Sequence, residues 1–351
     1  SPHPVIGEVA DRNYQQLRLA YNGSEESKIR LGADIDCDPE EYKPNYLTRL
    51  CPPIESDKTL DLAGYTLKKT GNKIDAQDHL LSVQYSKLTI EDSVGTGKMY
   101  FYAKDVAQNL FLAENRSTIV INGGTFCYTG TNAMYCEMIK LSASDLVIND
   151  GYFDAQIGTP IKLDNGFAGG QGTLNSTALI NGGTIVTTSS IEISSIDGCA
   201  YYASLVMTGG TITNKSKGRV TDGKGTIISD PYFVRVKGDE ALQNKYYNIT
   251  LLGGTMPLSP NDINVYYPAD KAVLTSKAGT ITNSAEKVEY TTLLTAPQAG
   301  IDEKKAMAAR GADEICRLKT DRNNYVLSHT KRTRFTVNSN SGGKIDLLTK
   351  A

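Results

Sequence analysis

The chain has 351 residues, 40% of them apolar and 22% charged, with 32 glycines, 20 tyrosines and no tryptophan. That composition is β-leaning and excludes a disordered chain, and a net charge of −2 with a pI of about 6.0 leaves no global field to recruit nucleic acid or anionic lipid. No apolar run reaches the ~18 residues a membrane-spanning helix needs, so no membrane span is expected.

The chain opens at Ser1 without Met, so any signal peptide is already absent, and export is the expectation. From Val5 to Tyr21 the spacing of Val9, Tyr14, Leu17 and Tyr21 predicts one amphipathic helix, closed by Asn22-Gly23. Residues 1–26 are therefore read as a helical cap, since an open sheet end would otherwise pair with neighbours.

Strands take over at residue 27, and a short phrase recurs among them. It reads Ile121-Asn122-Gly123-Gly124-Thr125-Phe126, then Ile148-Asn149-Asp150-Gly151-Tyr152-Phe153 and Ile180-Asn181-Gly182-Gly183-Thr184-Ile185. It returns as Met207-Thr208-Gly209-Gly210-Thr211-Ile212 and Leu251-Leu252-Gly253-Gly254-Thr255-Met256, with steps of 27, 32, 27 and 44 residues between turns. Repetition on this scale marks a stacked architecture. Weaker copies at 29–35, 60–67, 88–93 and 278–281 extend it to about nine rungs over residues 27–285, a stack on the order of 40 Å tall.

Each rung divides into three short strands. Residues 118–144 give Thr118–Asn122, Thr125–Thr129 and Glu137–Ser142, alternating apolar with polar and with no helical period between them. The fold class is all-β, a right-handed single-stranded parallel β-helix; an antiparallel sandwich is the alternative. Stacking predicts an inner column of Ile121, Ile148, Ile180 and Met207, a second of Phe126, Phe153, Ile185 and Ile212, and an outer amide ladder of Asn122, Asn149 and Asn181. Residues 166–175 and 215–247 exceed the rung and are expected to loop out of the body. After residue 285 the pattern fades: 301–314 reads as a helix and 333–338 with 344–348 as a hairpin, a C-terminal cap or small appended module over 286–351.

Six cysteines at 37, 51, 127, 136, 199 and 316 include no CxxC pair, and His3, His79 and His329 are the only histidines. A zinc site is not expected, and neither is any other metal or cofactor. Cys37/Cys51 and Cys127/Cys136 are close enough to close loops, while buried free thiols fit equally.

The helix leading into residues 28–35, then Thr59-Leu60-Asp61-Leu62-Ala63-Gly64-Tyr65-Thr66-Leu67, Leu88-Thr89-Ile90-Glu91-Asp92-Ser93 and the Asn-Gly-Gly-Thr rungs together resemble secreted and surface-attached bacterial β-helix proteins of the pectate-lyase-like fold. The resemblance covers roughly residues 8–285 and implies a shape shared by lyases, hydrolases, phage tailspikes and non-catalytic adhesins. Galacturonan hydrolases of this fold carry paired Asp and a Gly-His-Gly, and calcium-dependent pectate lyases an Asp column with an Arg base. Neither pattern is present here.

Chemistry is sought on the third strand of each rung. Placing Leu81/Val83, Leu110/Leu112, Ile139/Leu141, Ile161/Leu163, Ile191/Ile193 and Val234/Val236 inside leaves two outward columns. One is Ser82, Phe111, Lys140, Lys162, Glu192 and Arg235; the other is Ser142, Asp164, Ser194 and Lys237. The candidate ligand-binding residues are Lys140, Lys162, Asp164, Glu192, Arg235 and Lys237, read as a mostly cationic strip suited to an acidic polysaccharide or a host or cell-surface glycan. A solvated face with a Lys162–Glu192 pair is the plainer reading. A lysine base, its pKa depressed by the Lys140/Lys162 juxtaposition, is the catalytic one. Tyrosine doublets at 201–202, 246–247 and 266–267 offer sugar-stacking surfaces. Asp145, Asp150 and Asp154 look like a carboxylate cluster, although turn chemistry accounts for them first. The expected function is that of an exported bacterial solenoid, monomeric, secreted or at the cell surface, for adhesion or glycan binding without catalysis. A polysaccharide lyase or hydrolase, or a trimeric tailspike fragment, are the alternatives.

Overall fold

The structure, a computed structural model, describes residues 5–6, 13–37, 50–53, 55–71, 78–105, 107–131, 136–164, 174–194, 201–218, 220–223, 227–230 and 234–237, and beyond these the strands at 245–251, 263–267, 272–276, 281–283, 294–296, 314–321, 324–331, 337–339 and 344–349. It is a parallel β-solenoid. Three faces wind around one core, as sheets of ten, seven and ten strands.

About five complete turns form the body. They are Lys58–Asp61, Thr66–Thr70 and Leu81–Gln84; Lys87–Glu91, Lys98–Ala103 and Phe111–Glu114; and Thr118–Ile121, Thr125–Gly130 and Glu137–Ser142. Asp145–Ile148, Tyr152–Ala155 and Thr159–Asp164 make the fourth, and Leu174–Ile180, Thr184–Thr187 and Ile191–Ser194 the fifth. The expectation of nine is corrected, because the repeat does not close three-sided turns at either end. Lys28–Leu31 and Ile35–Asp36 supply two sides only. After Tyr201–Met207 and Thr211–Asn214 the winding is interrupted by an antiparallel pair, Val220–Thr221 with Ile227–Ser229, before Val234–Lys237 rejoins the third face. Ile281–Asn283, read as a further rung, pairs antiparallel with Val337–Ser339.

Register follows the phrase. Ile121 pairs with Ile148, Ile148 with Ile180 and Ile180 with Met207, all buried. Phe126, Phe153, Ile185 and Ile212 stack in the second column, with the Phe126 and Phe153 rings 4.6 Å apart and nearly parallel. Outside, Asn149 Nδ2 donates to Asn122 Oδ1 (2.9 Å), Asn181 Nδ2 to Asn149 Oδ1 (3.0 Å) and Thr208 Oγ1 to Asn181 Oδ1 (2.7 Å). The amide ladder thus ends on a hydroxyl where the phrase substitutes Thr for Asn.

The turn glycines have distinct causes. Gly183 has φ +83°, a left-handed backbone that penalises a side chain. Gly182 has no such φ, but a Cβ there would sit 2.3 Å from the Asn149 carbonyl oxygen, whereas at Gly123 the nearest atom is 3.8 Å away. The corner between third and first strands uses left-handed residues that are not glycine: Tyr85, Asn115, Arg116 and Ala143. Only Asn115 is of a type that favours this backbone.

The N-terminal helix is shorter than expected, Asn13–Asn22, with Tyr14, Leu17, Ala20 and Tyr21 buried against the core. Val5–Ile6 is a strand paired with Lys28–Leu31, so the apolar pair at the start is sheet and not helix. The Tyr21 hydroxyl donates to the Ser82 carbonyl (3.0 Å), and Lys58 Nζ donates to the Ala20 carbonyl at the helix end (3.1 Å). Within the core, Lys69 occupies an inward position in register with Phe101 and meets Asp78 at 2.7 Å with both side chains buried. Toward the C-terminus, Val337–Ser339 and Lys344–Thr349 pair antiparallel, and the latter joins the third face parallel to Ile263–Tyr267. Of the predicted helix at 301–314, residues 301–313 lie outside the described residues and Glu314 begins a strand, Glu314–Asp321; of the predicted loop at 166–175, residues 166–173 lie outside them and Leu174 opens the strand Leu174–Ile180.

Candidate functional site

On the third face the outward column is Ser82, Leu112, Lys140, Lys162, Glu192 and Arg235 in strict register. Phe111 is not in it: it pairs with Leu81 and Ile139 in the interior and is fully buried. The expected placement of Leu112 inside is corrected, since a one-residue slip in that strand exchanges the two faces. The second column is as expected in its pairs, Ser142 with Asp164 and Ser194 with Lys237. The side chains of Ser194, Arg235 and Lys237 lie outside the described residues.

Lys162 is the hub. Its Nζ donates to Glu137 Oε1 at 3.3 Å and lies 3.8 Å from Glu192 Oε1 and 3.9 Å from Asp164 Oδ2. Glu192 is its register partner in the next turn, Asp164 lies two residues on along its own strand, and Glu137 comes from the turn before. The lysine side chain is 17% exposed, Glu192 11%, and Glu137 and Asp164 6% each. Lys140 is its partner on the other side, half-buried and with no ion pair among the described residues.

Around Lys162 one ammonium faces three carboxylates. This geometry corrects the expectation of a lysine base. Burial pulls its ammonium down, but Glu137, Glu192 and Asp164 together outweigh burial, and the pKa is raised. The adjacent Lys140 does not set the sign.

Two contributors were not singled out in the sequence. Glu137 has the inward parity of Ile139 and Leu141, and a carboxylate at such a position was the available signal. Asn109, buried at the corner before Phe111, donates from Nδ2 to the Glu137 carbonyl (2.7 Å) and to Glu137 Oε2 (3.1 Å). Its backbone N–H donates to His79 Nδ1 (3.1 Å). Four consecutive turns therefore contribute to one polar patch.

The other candidates disperse. Asp145 is on the first face, where burial raises its pKa to about 6 against the pull of hydrogen bonds from Thr177. Asp150 accepts from the Gly151 N–H in the turn, and Asp154 on the second face accepts from Gln156 Nε2. The three are not a cluster, and among the described residues no group of three or more His, Cys, Asp or Glu is arranged to hold a metal ion. Cys37, Cys51, Cys127 and Cys136 form no disulfide among the described residues. Burial pushes the Cys136 thiol up to about 12 and raises Cys127, the reverse of an activated nucleophile. The tyrosine doublets fall outside the described side chains, whereas Tyr100, Tyr102 and Tyr152 stand on the outward side of the second face, Tyr152 45% exposed. No helix among the described residues is long and apolar enough to cross a membrane. Comparison with protein-family models, with curated proteins and with solved structures returns no match.

Proposed function

We propose that the chain is an exported bacterial solenoid of pectate-lyase-like architecture, secreted or held at the cell surface, whose third face contacts a glycan without catalysing its cleavage. The observation that carries this reading is Lys162: an ammonium held protonated by three carboxylates offers fixed donors and acceptors and no base for β-elimination. The strands that carry the patch, Glu137–Ser142, Thr159–Asp164 and Ile191–Ser194, are each hydrogen-bonded on both sides, which holds it rigid, as recognition of a polyhydroxylated ligand requires. The test is calorimetric titration of the purified chain with neutral, acidic and amino-sugar oligosaccharides. It runs beside an assay for unsaturated products and new reducing ends. Binding without turnover is expected; turnover lost in Lys162→Ala would refute the non-catalytic reading.

A hydrolase is the second reading, favoured by the convergence of Glu137, Asp164 and Glu192, because paired carboxylates carry most glycoside hydrolysis. It requires new reducing ends whose formation is lost in Glu137→Gln or Glu192→Gln.

A further inference from the structure

We infer that this patch recognises the amino group of a sugar, so that its ligand is a glucosamine-type amino glycan and not an acidic one. The inference rests on the glycan-binding reading and names the ligand class within it. Its basis is an inventory of donors and acceptors. Two buried oxygens in the patch have no hydrogen-bond donor among the described residues: Asp164 Oδ1, on a residue 4% exposed, and Asn109 Oδ1, on a residue 1% exposed. The Asn109 amide cannot rotate to relieve this, because its Nδ2 already serves the Glu137 carbonyl and Oε2, and turning it would set oxygen against two acceptors. A buried acceptor without a donor is costly. In this patch every such unmet position calls for an N–H or O–H.

Charge points the same way. Within reach of Lys162 the formal balance is one cation to three anions. Both orphan acceptors belong to the Glu137–Asp164 side of the patch: one is on Asp164 itself, and the other is on the Asn109 amide that serves Glu137. A carboxylated sugar would bring a further anion and more acceptors to a place that lacks donors. A protonated amine supplies three donors and a positive charge in one group, and the flanking ring hydroxyls can both donate and accept. Lys162 and Glu192, at 17% and 11% side-chain exposure, are where the patch opens to solvent.

The experiment titrates the full chain with three tetrasaccharides of matched length: glucosamine, N-acetylglucosamine and galacturonic acid. Glucosamine is expected to bind at least tenfold tighter than the other two, because N-acetylation removes the charge and keeps the hydroxyls. Asp164→Asn, nearly isosteric, should weaken glucosamine binding about tenfold. Lys140→Gln, which removes the neighbouring cation, should tighten it and gives a second reading if Asp164→Asn does not fold. Equal binding of the acetylated sugar, or preference for galacturonate, overturns the amino-group inference and leaves the glycan reading standing. Glucosamine binding that neither variant moves also overturns it, as attraction elsewhere on the surface. No binding of any oligosaccharide overturns the glycan reading itself.

Discussion

Replacing Lys162 by Met tests the charge arrangement directly. Met keeps the length of the stem and deletes the ammonium, leaving Glu137, Asp164 and Glu192 at 6%, 6% and 11% side-chain exposure without their shared cation. At an effective dielectric of about 20, each contact of 3.3–3.9 Å is worth roughly 4 kcal/mol before desolvation. Most of that gross attraction is offset by the cost of burying the charges. Removing one partner of a buried group nonetheless costs about 3–5 kcal/mol, because the remaining charges stay buried and uncompensated. Urea titrations of both proteins at pH 7.5 measure this as a shift in midpoint. A loss below about 1 kcal/mol would refute the buried-hub description. In the wild type the contribution of Lys162 is fully present below the ordinary lysine value of 10.5 and is lost as pH rises through its higher folded pKa.

Gly182→Ala should cost about 1–3 kcal/mol, through the 2.3 Å approach to the Asn149 oxygen, while Gly123→Ala, with 3.8 Å of clearance, should cost less than ~1 kcal/mol; parallel urea titrations decide. Ala143→Gly should stabilise by about 1 kcal/mol, since Ala143 holds φ +51° and glycine adopts that conformation freely; thermal melts are the check. Asp145 has a folded pKa raised to about 6, so its effect is harmless below the ordinary carboxyl value of 3.8 and destabilising as pH rises through 6. Asp145→Asn should therefore gain about 1–3 kcal/mol at pH 8 relative to its effect at pH 4, and a difference independent of pH would count against that burial.

Much of the fold was legible because alternation is unambiguous where apolar and polar residues strictly interchange. In Glu137–Ser142 and Thr159–Asp164 this placed Ile139, Leu141, Ile161 and Leu163 inside and put Lys140 beside Lys162. It failed at Leu110-Phe111-Leu112, where three successive apolar residues leave the parity undefined and both Leu110 and Phe111 are buried at the corner. Two members of the patch were missed for a related reason. Counting only outward positions omits Glu137, which reaches Lys162 from an inward-parity position at a strand end, and Asn109, which belongs to a corner and to no strand. At the left-handed corner only Asn115 is of a type that favours such a backbone, and Tyr85, Arg116 and Ala143 give no sign of it. The rung count was overstated because the turn phrase marks one corner of a rung, and past Asn214 the described strands extend the first and third faces but not the second.

The polar patch draws Asn109, Glu137, Lys162 with Asp164, and Glu192 from successive windings, each one strand spacing, ~4.8 Å, above the last. Duplicating a whole repeat before Lys58 or after Ser194 would lengthen the molecule and leave those neighbours together. The same duplication between Ser142 and Asp145 would carry Glu137 out of Lys162's reach. Growth and recognition thus place opposite demands on different stretches of chain: the ends are free to lengthen, and the middle must inherit its count unchanged.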